Sequence, residues 1–234
     1  MDITALLTGK GNSNFKDKNI IKIRGIPSMQ YPCKEAKKVK KIKYFFTSSD
    51  DKKILKIGKL LGFQSLKRPK KFSQPNSKHL DVLKHSLQYL KKKKINPEIL
   101  VVLLANAPII KSEWIKKCLD TMLKNKEISA VIPVIEDNDR HPIRAKKISK
   151  GYLKGYIKSK LGVSTNRQDL EKNYFLCHNF WVIRTSAIYK NDGFDPWKFM
   201  GKKVKPFIIK HSIDIHNYED VLLANHLVKK LKIK

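Results

Sequence analysis

Arginine is scarce in this chain. Only six of its 51 Lys+Arg residues are arginines, at positions 24, 68, 140, 144, 167 and 184, although the net charge reaches +31 over 234 residues. Base-edge readers and tight phosphate clamps rely on guanidinium forks, and no RNA- or DNA-binding motif accompanies the lysines. They are spread over the whole length, as in Lys52-Lys53 and Lys116-Lys117, and Lys91–Lys94 reads as a solvated helix end, where cations suit the C-terminal dipole. No specific nucleic-acid partner is expected, and a basic nucleic-acid-binding protein stands as the alternative from another class. A positive surface equally concentrates a small polyanionic substrate.

Cysteine is also sparse. Cys33, Cys118 and Cys177 are odd in number, far apart and not spaced as metal ligands, which argues against a disulfide framework and for reduced thiols in a cytoplasmic protein. No apolar run approaches the roughly 20 residues that span a bilayer, so no membrane association is expected. A basic segment followed by a long apolar one is missing from the opening residues, and no secretory leader is expected. The standard nucleotide loops are missing too: there is no G-x-x-x-x-G-K-[ST], and Gly9 and Gly11 lack the third glycine of G-x-G-x-x-G. Internal repeats and low-complexity linkers are absent.

What is present begins at the first residues. The apolar run Ile3–Thr8 breaks into Gly9-Lys10-Gly11-Asn12-Ser13-Asn14, continuing to Lys18-Asn19. Glycines let a backbone approach an anion, loop N–H groups can point at it, and lysines add mobile positive charge. The same segment also fits an ordinary basic turn between a strand and a helix.

Strand and helix patterns alternate beyond it. Helical patterns cover Ser28–Lys38, Lys52–Leu61 after a Ser48-Ser49-Asp50-Asp51 cap, His79–Lys92 with its Leu80, Leu83, Leu87 and Leu90 stripe, and Ser112–Leu123. Strand patterns cover Lys43–Thr47, Ile99–Leu104 and Ile128–Pro133, the last two continuous enough to be buried on both faces. After a polar stretch without a clear period come strands at Phe175–Arg184 and Val204–Lys210, then a helix from about Tyr218. The alternation predicts an α/β protein, a three-layer α/β/α arrangement around an open, mostly parallel sheet. One domain over residues 1–234 is expected, with a loop-rich excursion at about 137–177 that makes sense as an arm against a partner subunit.

With these elements placed, the chain resembles a family. Lys18-Asn19-Ile20, Gly25-Ile26-Pro27 with Tyr31, Thr47-Ser48-Ser49-Asp50-Asp51 and Arg68-Pro69 followed by Asp81-Val82 and His85 occur in order. So do Leu103-Leu104-Ala105-Asn106-Ala107-Pro108, Asn166-Arg167-Gln168-Asp169 before Asn179, and Ser212-Ile213-Asp214-Ile215 before Glu219-Asp220. The series is similar to the cytidylyltransferases that activate acidic sugars, typified by N-acylneuraminate cytidylyltransferase. The resemblance implies a nucleotide-diphospho-sugar transferase type of fold and transfer of a cytidylyl group from CTP to an acidic keto-sugar, a sialic-acid-like nonulosonate. A related enzyme for another sugar acid, such as a ketodeoxyoctonate, is the alternative. It implies Mg²⁺ and a homodimer in which the excursion reaches the neighbouring subunit.

The resemblance also implies roles. Lys10, Lys18 and Asp214 are the expected catalytic residues; Gly9, Gly11, Asn12, Ser13, Arg68 and Asn106 would bind CTP; Arg167, Gln168 and Asn179 would bind the sugar. Arg68 is open to a second reading as a surface ion-pair residue, and Asn106 to one as a helix cap. Asp214 is the expected metal anchor, with His216 standing where the family carries a second carboxylate. Imidazole is a soft partner for Mg²⁺, so His216 is expected beside phosphate or water, or simply facing solvent. His85, Trp114, Trp181 and Trp197 read as packing residues.

Overall fold

The computed structural model describes residues 1–11, 14–158 and 162–233. The chain opens with β1 (Ile3–Thr8), whose residues are all buried, as its apolar run demands. A short hairpin, β2 (Lys22–Ile23) and β3 (Ile26–Pro27), leads into α1 (Gln30–Lys37) and β4 (Tyr44–Ser49). Asp51 then caps α2 (Lys52–Leu60) by accepting from the N–H groups of Lys53 and Ile54, satisfying donors a helix start leaves unpaired. The edge strand β5 (Gln64–Lys67) follows, and then α3 (His79–Lys92), β6 (Ile99–Leu104), α4 (Ser112–Lys124) and β7 (Ala130–Glu136).

The polar middle contains an antiparallel hairpin, β8 (Lys146–Ser149) and β9 (Tyr152–Gly155), outside the main sheet. The expected strand Phe175–Arg184 is broken: β10 (Tyr174–Leu176) and β11 (Phe180–Arg184) flank Cys177-His178-Asn179. Both pair antiparallel with β7 on the same side, because β12 (Val204–Ile208) occupies its other side over Ala130–Val134. The short α5 (Thr185–Lys190) follows β11, and α6 (Tyr218–Lys230) closes the chain behind a capping box of Asn217 and Asp220.

The eight-stranded sheet has β1 at its centre, paired in parallel with β4 on one side and β6 on the other. Strand alternation feeds two layers. Ile3, Ala5, Leu7, Ile99, Val101 and Leu103 pack with α1, α2 and α4, while Leu6, Leu100 and Val102 pack with α3 and α5. The three-layer α/β/α expectation is therefore met. A third cluster joins the inner face of α6 (Val221, Ala224, Leu227) to Tyr31, Ile213 and Ile215, seating α6 against the end of the sheet. All three cysteines are free and buried. Among the described residues, no helix is long and apolar enough to cross a membrane.

The contact between α2 and β4 carries a stability prediction. A Cβ added at Gly58 would lie 2.2 Å from Thr47 Oγ1, in a residue whose branched Cβ leaves it little room to turn away. Gly→Ala in a helix normally stabilises by about 1 kcal/mol, but overpacking costs about 1–3 kcal/mol. Gly58→Ala is expected to lower the melting temperature by several degrees, and Thr47→Ala, which removes Oγ1 but leaves its Cβ 2.9 Å from the added one, to relieve part of that loss. A thermal double-mutant cycle checks it; additive effects would contradict the packing account.

Candidate active site

The chain runs from β1 outward to β4 and β5, then returns through α3 to β6 on the other side of β1. Such a reversal leaves a crevice at the carboxyl ends of the two central strands, where open α/β sheets bind ligands. Two adjoining hollows occupy it. One is lined by Thr8, Gly9, Lys10, Arg68, Gln74 and Ser77, the other by His178, Trp181, Trp197, Asp214 and His216. Lys18, His79, Leu104 and Asn106 line both, forming the seam.

The opening loop is held by backbone contacts. Asn19 is buried, its Nδ2 donating to the Lys10 carbonyl at 2.7 Å and its own carbonyl accepting from Met29 N–H. Ser28 Oγ donates to the Lys18 carbonyl at 3.0 Å. In the Lys18-Asn19 pair, the asparagine thus clamps the loop and the lysine is left facing the cleft. The glycines differ from the expected anion donors: Gly9 N–H donates to the Ser48 carbonyl and Gly11 N–H to Asp50 Oδ1. Their value is close approach, since a Cβ at Gly9 would meet Ala105 Cβ at 2.9 Å and one at Gly11 the Asp51 side chain at 2.7 Å. Asn12 and Ser13 lie outside the described residues.

Arg68 is not a surface ion-pair residue. It is buried, its Nη2 donating to the Ser48 carbonyl at 2.8 Å and its Nε to Ser48 Oγ at 3.3 Å. Burial pulls its pKa down to about 10, with Asp50 acting in the other direction. It ties the end of β4 to the floor of the first hollow. Asn106 is likewise no helix cap, because α4 starts behind Lys111. Its Nδ2 donates to the Ile215 carbonyl and its carbonyl accepts from Ile215 N–H. These two bonds fasten the segment carrying Asp214 to the end of β6.

Asn179, expected at the sugar, offers it no atom. It is 0% exposed; its Nδ2 donates to the Ile109 carbonyl and its Oδ1 accepts from Ser212 Oγ. The break between β10 and β11 turns this amide inward, where it pins the same Asp214 segment from the other side. Arg167 and Gln168 are not brought to the cleft by their own chain. They line a separate hollow with Glu136, Asp137 and Asp139, and Arg167 Nη1 pairs with Asp139 Oδ2 at 2.7 Å.

Lys18, His216 and Asp214 form a chain across the cleft. Lys18 Nζ lies 3.3 Å from His216 Nδ1, and His216 Nε2 lies 2.6 Å from Asp214 Oδ2. An ammonium only donates, so Nδ1 accepts and the proton sits on Nε2, donating to the carboxylate. The His216 N–H donates to Asp220 Oδ2, coupling the chain to the α6 cap. Burial lowers the Lys18 pKa; Asp214 opposes that, Lys10 adds to it and Asp220 opposes it.

The aromatic wall was missed as part of the site. Trp181 is buried, with its Nε1 donating to the Cys177 carbonyl, and packs on His79 at 4.9 Å and His178 at 5.6 Å between centroids; His178 meets Trp197 at 5.8 Å. His178 has its pKa lowered by burial, against the pull of Asp214. One signal in the sequence marks His79: it stands four residues before Leu83 and so shares the buried face of α3.

The family profile described as cytidylyltransferase matches residues 11–178. Post-translational flagellin modification protein B of Campylobacter coli is 25% identical over 231 residues, covering 96% of this chain and 93% of that protein. A CMP:2-keto-3-deoxy-manno-octonic acid synthetase solved with CTP superposes with a TM-score of 0.72 at 12% identity, covering 99% of this chain and all of that one. The 4-diphosphocytidyl-2C-methyl-D-erythritol synthase of Anaerococcus prevotii superposes at 0.65 with 16% identity, over 97% and 96% of the two chains. These structures share the fold.

Proposed function

The chain belongs to the cytidylyltransferase family and is a nucleotidyltransferase, and from that premise we propose that it joins CTP to an acidic keto-sugar, a sialic-acid-like nonulosonate, releasing pyrophosphate. The observation that carries the reading is the two-part cleft at the β1/β6 reversal, basic in one half and aromatic in the other, with Lys18 at the seam and Asp214 in the aromatic half. The structural likeness to the octonic acid synthetase supports a sugar acid as acceptor.

In this reading the basic hollow takes the nucleotide. Lys10 and Lys18 put positive charge where the triphosphate and departing pyrophosphate carry negative charge, and Arg68 holds the β4 end that shapes the floor. The acceptor enters the Trp181/Trp197 hollow, and its anomeric hydroxyl oxygen attacks the α-phosphorus, giving up its proton to solvent, while the bond from the α-phosphorus to the bridging oxygen breaks and pyrophosphate leaves. Asp214 is the hard oxygen donor fit to anchor Mg²⁺, which when bound offsets charge on the pyrophosphate. Among the described residues no set of three His, Cys, Asp or Glu side chains gathers as a metal cage. One carboxylate plus substrate phosphates is how Mg²⁺ is usually held. His216 serves as the link between Lys18 and Asp214.

The excursion completes the proposal. Ile148 and Leu153 are 77% and 73% exposed and Tyr152 and Tyr156 stand beside them, an apolar set that suits a second copy of the chain. In such a homodimer Arg167 and Gln168 serve the neighbouring cleft. The test is pyrophosphate release from CTP, Mg²⁺ and a panel of nonulosonic and octulosonic acids. Turnover with a nonulosonate is expected; turnover with an octulosonate alone would move the acceptor to that class, and none with any sugar acid would overturn the reading.

A further inference from the structure

Of the four residues that line both halves of the cleft, His79 is the aromatic one and Lys18 the cation. Its position is fixed from several sides. It opens α3, its ring packs on Trp181 at 4.9 Å and Phe199 at 6.3 Å, and its Nε2 lies 3.5 Å from Thr8 Oγ1 at the end of β1. Thr8 Oγ1 donates its own proton toward the Leu103 carbonyl at 3.4 Å, so toward His79 it accepts. That places the imidazole proton on Nε2 and leaves Nδ1 as a bare acceptor. Nδ1 has no hydrogen-bond partner among the described residues, and it is not among the polar atoms sealed from solvent. It opens on the cleft.

We propose that His79 orients the acceptor: its Nδ1 accepts a hydrogen bond from the attacking hydroxyl and holds that oxygen toward the α-phosphorus. This rests on the reading that the aromatic hollow takes the sugar acid. The bond is one of alignment and His79 takes no proton. Burial, followed by the nearby charge of Arg68 and by His178, pulls its pKa down to about 3, so the ring stays neutral and weakly basic over the working range. The same hydroxyl chemistry could come from the nucleotide ribose, and the kinetic arms separate the two sources.

His79→Ala is expected to lower kcat about 10- to 100-fold, the scale set by losing reactant alignment, while the KM for CTP moves less than about threefold. His79→Gln, whose carbonyl oxygen can accept in the same place, is expected to recover most of the loss with an unchanged pH profile. A weakened CTP KM at unchanged kcat would assign His79 to the ribose and overturn the proposal. Equal defects in both variants, or loss of a pH-profile limb in His79→Gln, would also overturn it. A readout on the unmodified protein needs no substrate: the ¹⁵N imidazole spectrum, assigned by the signal missing from His79→Gln, should show an Nε2–H tautomer unchanged from pH 8 to 5. An Nδ1–H tautomer or a titration near 6.5 refutes the assignment even if no sugar acid turns over, an outcome that by itself counts against the acceptor reading instead.

Discussion

Asp214→Asn is expected to lower Mg²⁺-dependent turnover by about 10²–10³-fold, the range seen when one preorganised charge-stabilising group is removed. Asparagine keeps the shape and can still accept from His216 Nε2, which lies 2.6 Å from the carboxylate, so the fold should survive. What disappears is the hard anionic oxygen and the charge that opposes the lowering of the Lys18 pKa by burial. His216→Asp is the informative partner. It places a second carboxylate beside Asp214, which repels it unless a divalent cation sits between them, so activity should persist with a steeper Mg²⁺ dependence. A metal titration of both variants at saturating CTP checks this. Full activity in Asp214→Asn, or a dead His216→Asp beside an active His216→Ala, would mean that the ion is held elsewhere, by the phosphates alone.

Lys18→Ala should cost turnover about 10²-fold or more, because the ammonium stands at the seam where the leaving group's charge develops. Lys10→Ala is expected to cost a similar amount. The two should differ in a second respect. Lys18 also donates to His216 Nδ1, so its loss frees the His216–Asp214 pair to reorient and should shift the Mg²⁺ dependence, whereas Lys10→Ala should leave it in place. Neither change should move the melting temperature by more than a degree or two, since lysines outside the core contribute little to stability. Near-normal turnover in both variants would return the opening segment to an ordinary basic turn.

The central strands and α3 were legible because their residues have a single job. Ile3–Thr8 and Ile99–Leu104 are buried on both faces, and the leucines of α3 recur at helical spacing. The edge strand β5 was not, since only Leu66 of its four residues is buried and its polar neighbours face solvent. The break at Cys177-His178-Asn179 was hidden inside an apolar run: what stops the strand is Asn179 turning in to Ile109, a partner 70 residues away. The site divides along the same line. Lys18, Arg68 and Asp214 are marked by the residues around them, whereas the roles of Asn106 and Asn179 as fasteners of the Asp214 segment exist only in the tertiary structure. His79 and Trp181 belong together through a ring contact across 102 positions of chain, which no local pattern reports.

The most direct test of a cytidine nucleotide site is the melting temperature of the protein with CTP, ATP, GTP or UTP at equal concentration and with Mg²⁺ present. Ligand at about 100 times its dissociation constant adds roughly 2.7 kcal/mol, about 5–11 °C for a chain of this size. CTP is expected to raise the melting temperature well above the other three; equal shifts for all four would show a cleft that reads only the triphosphate and would contradict the account.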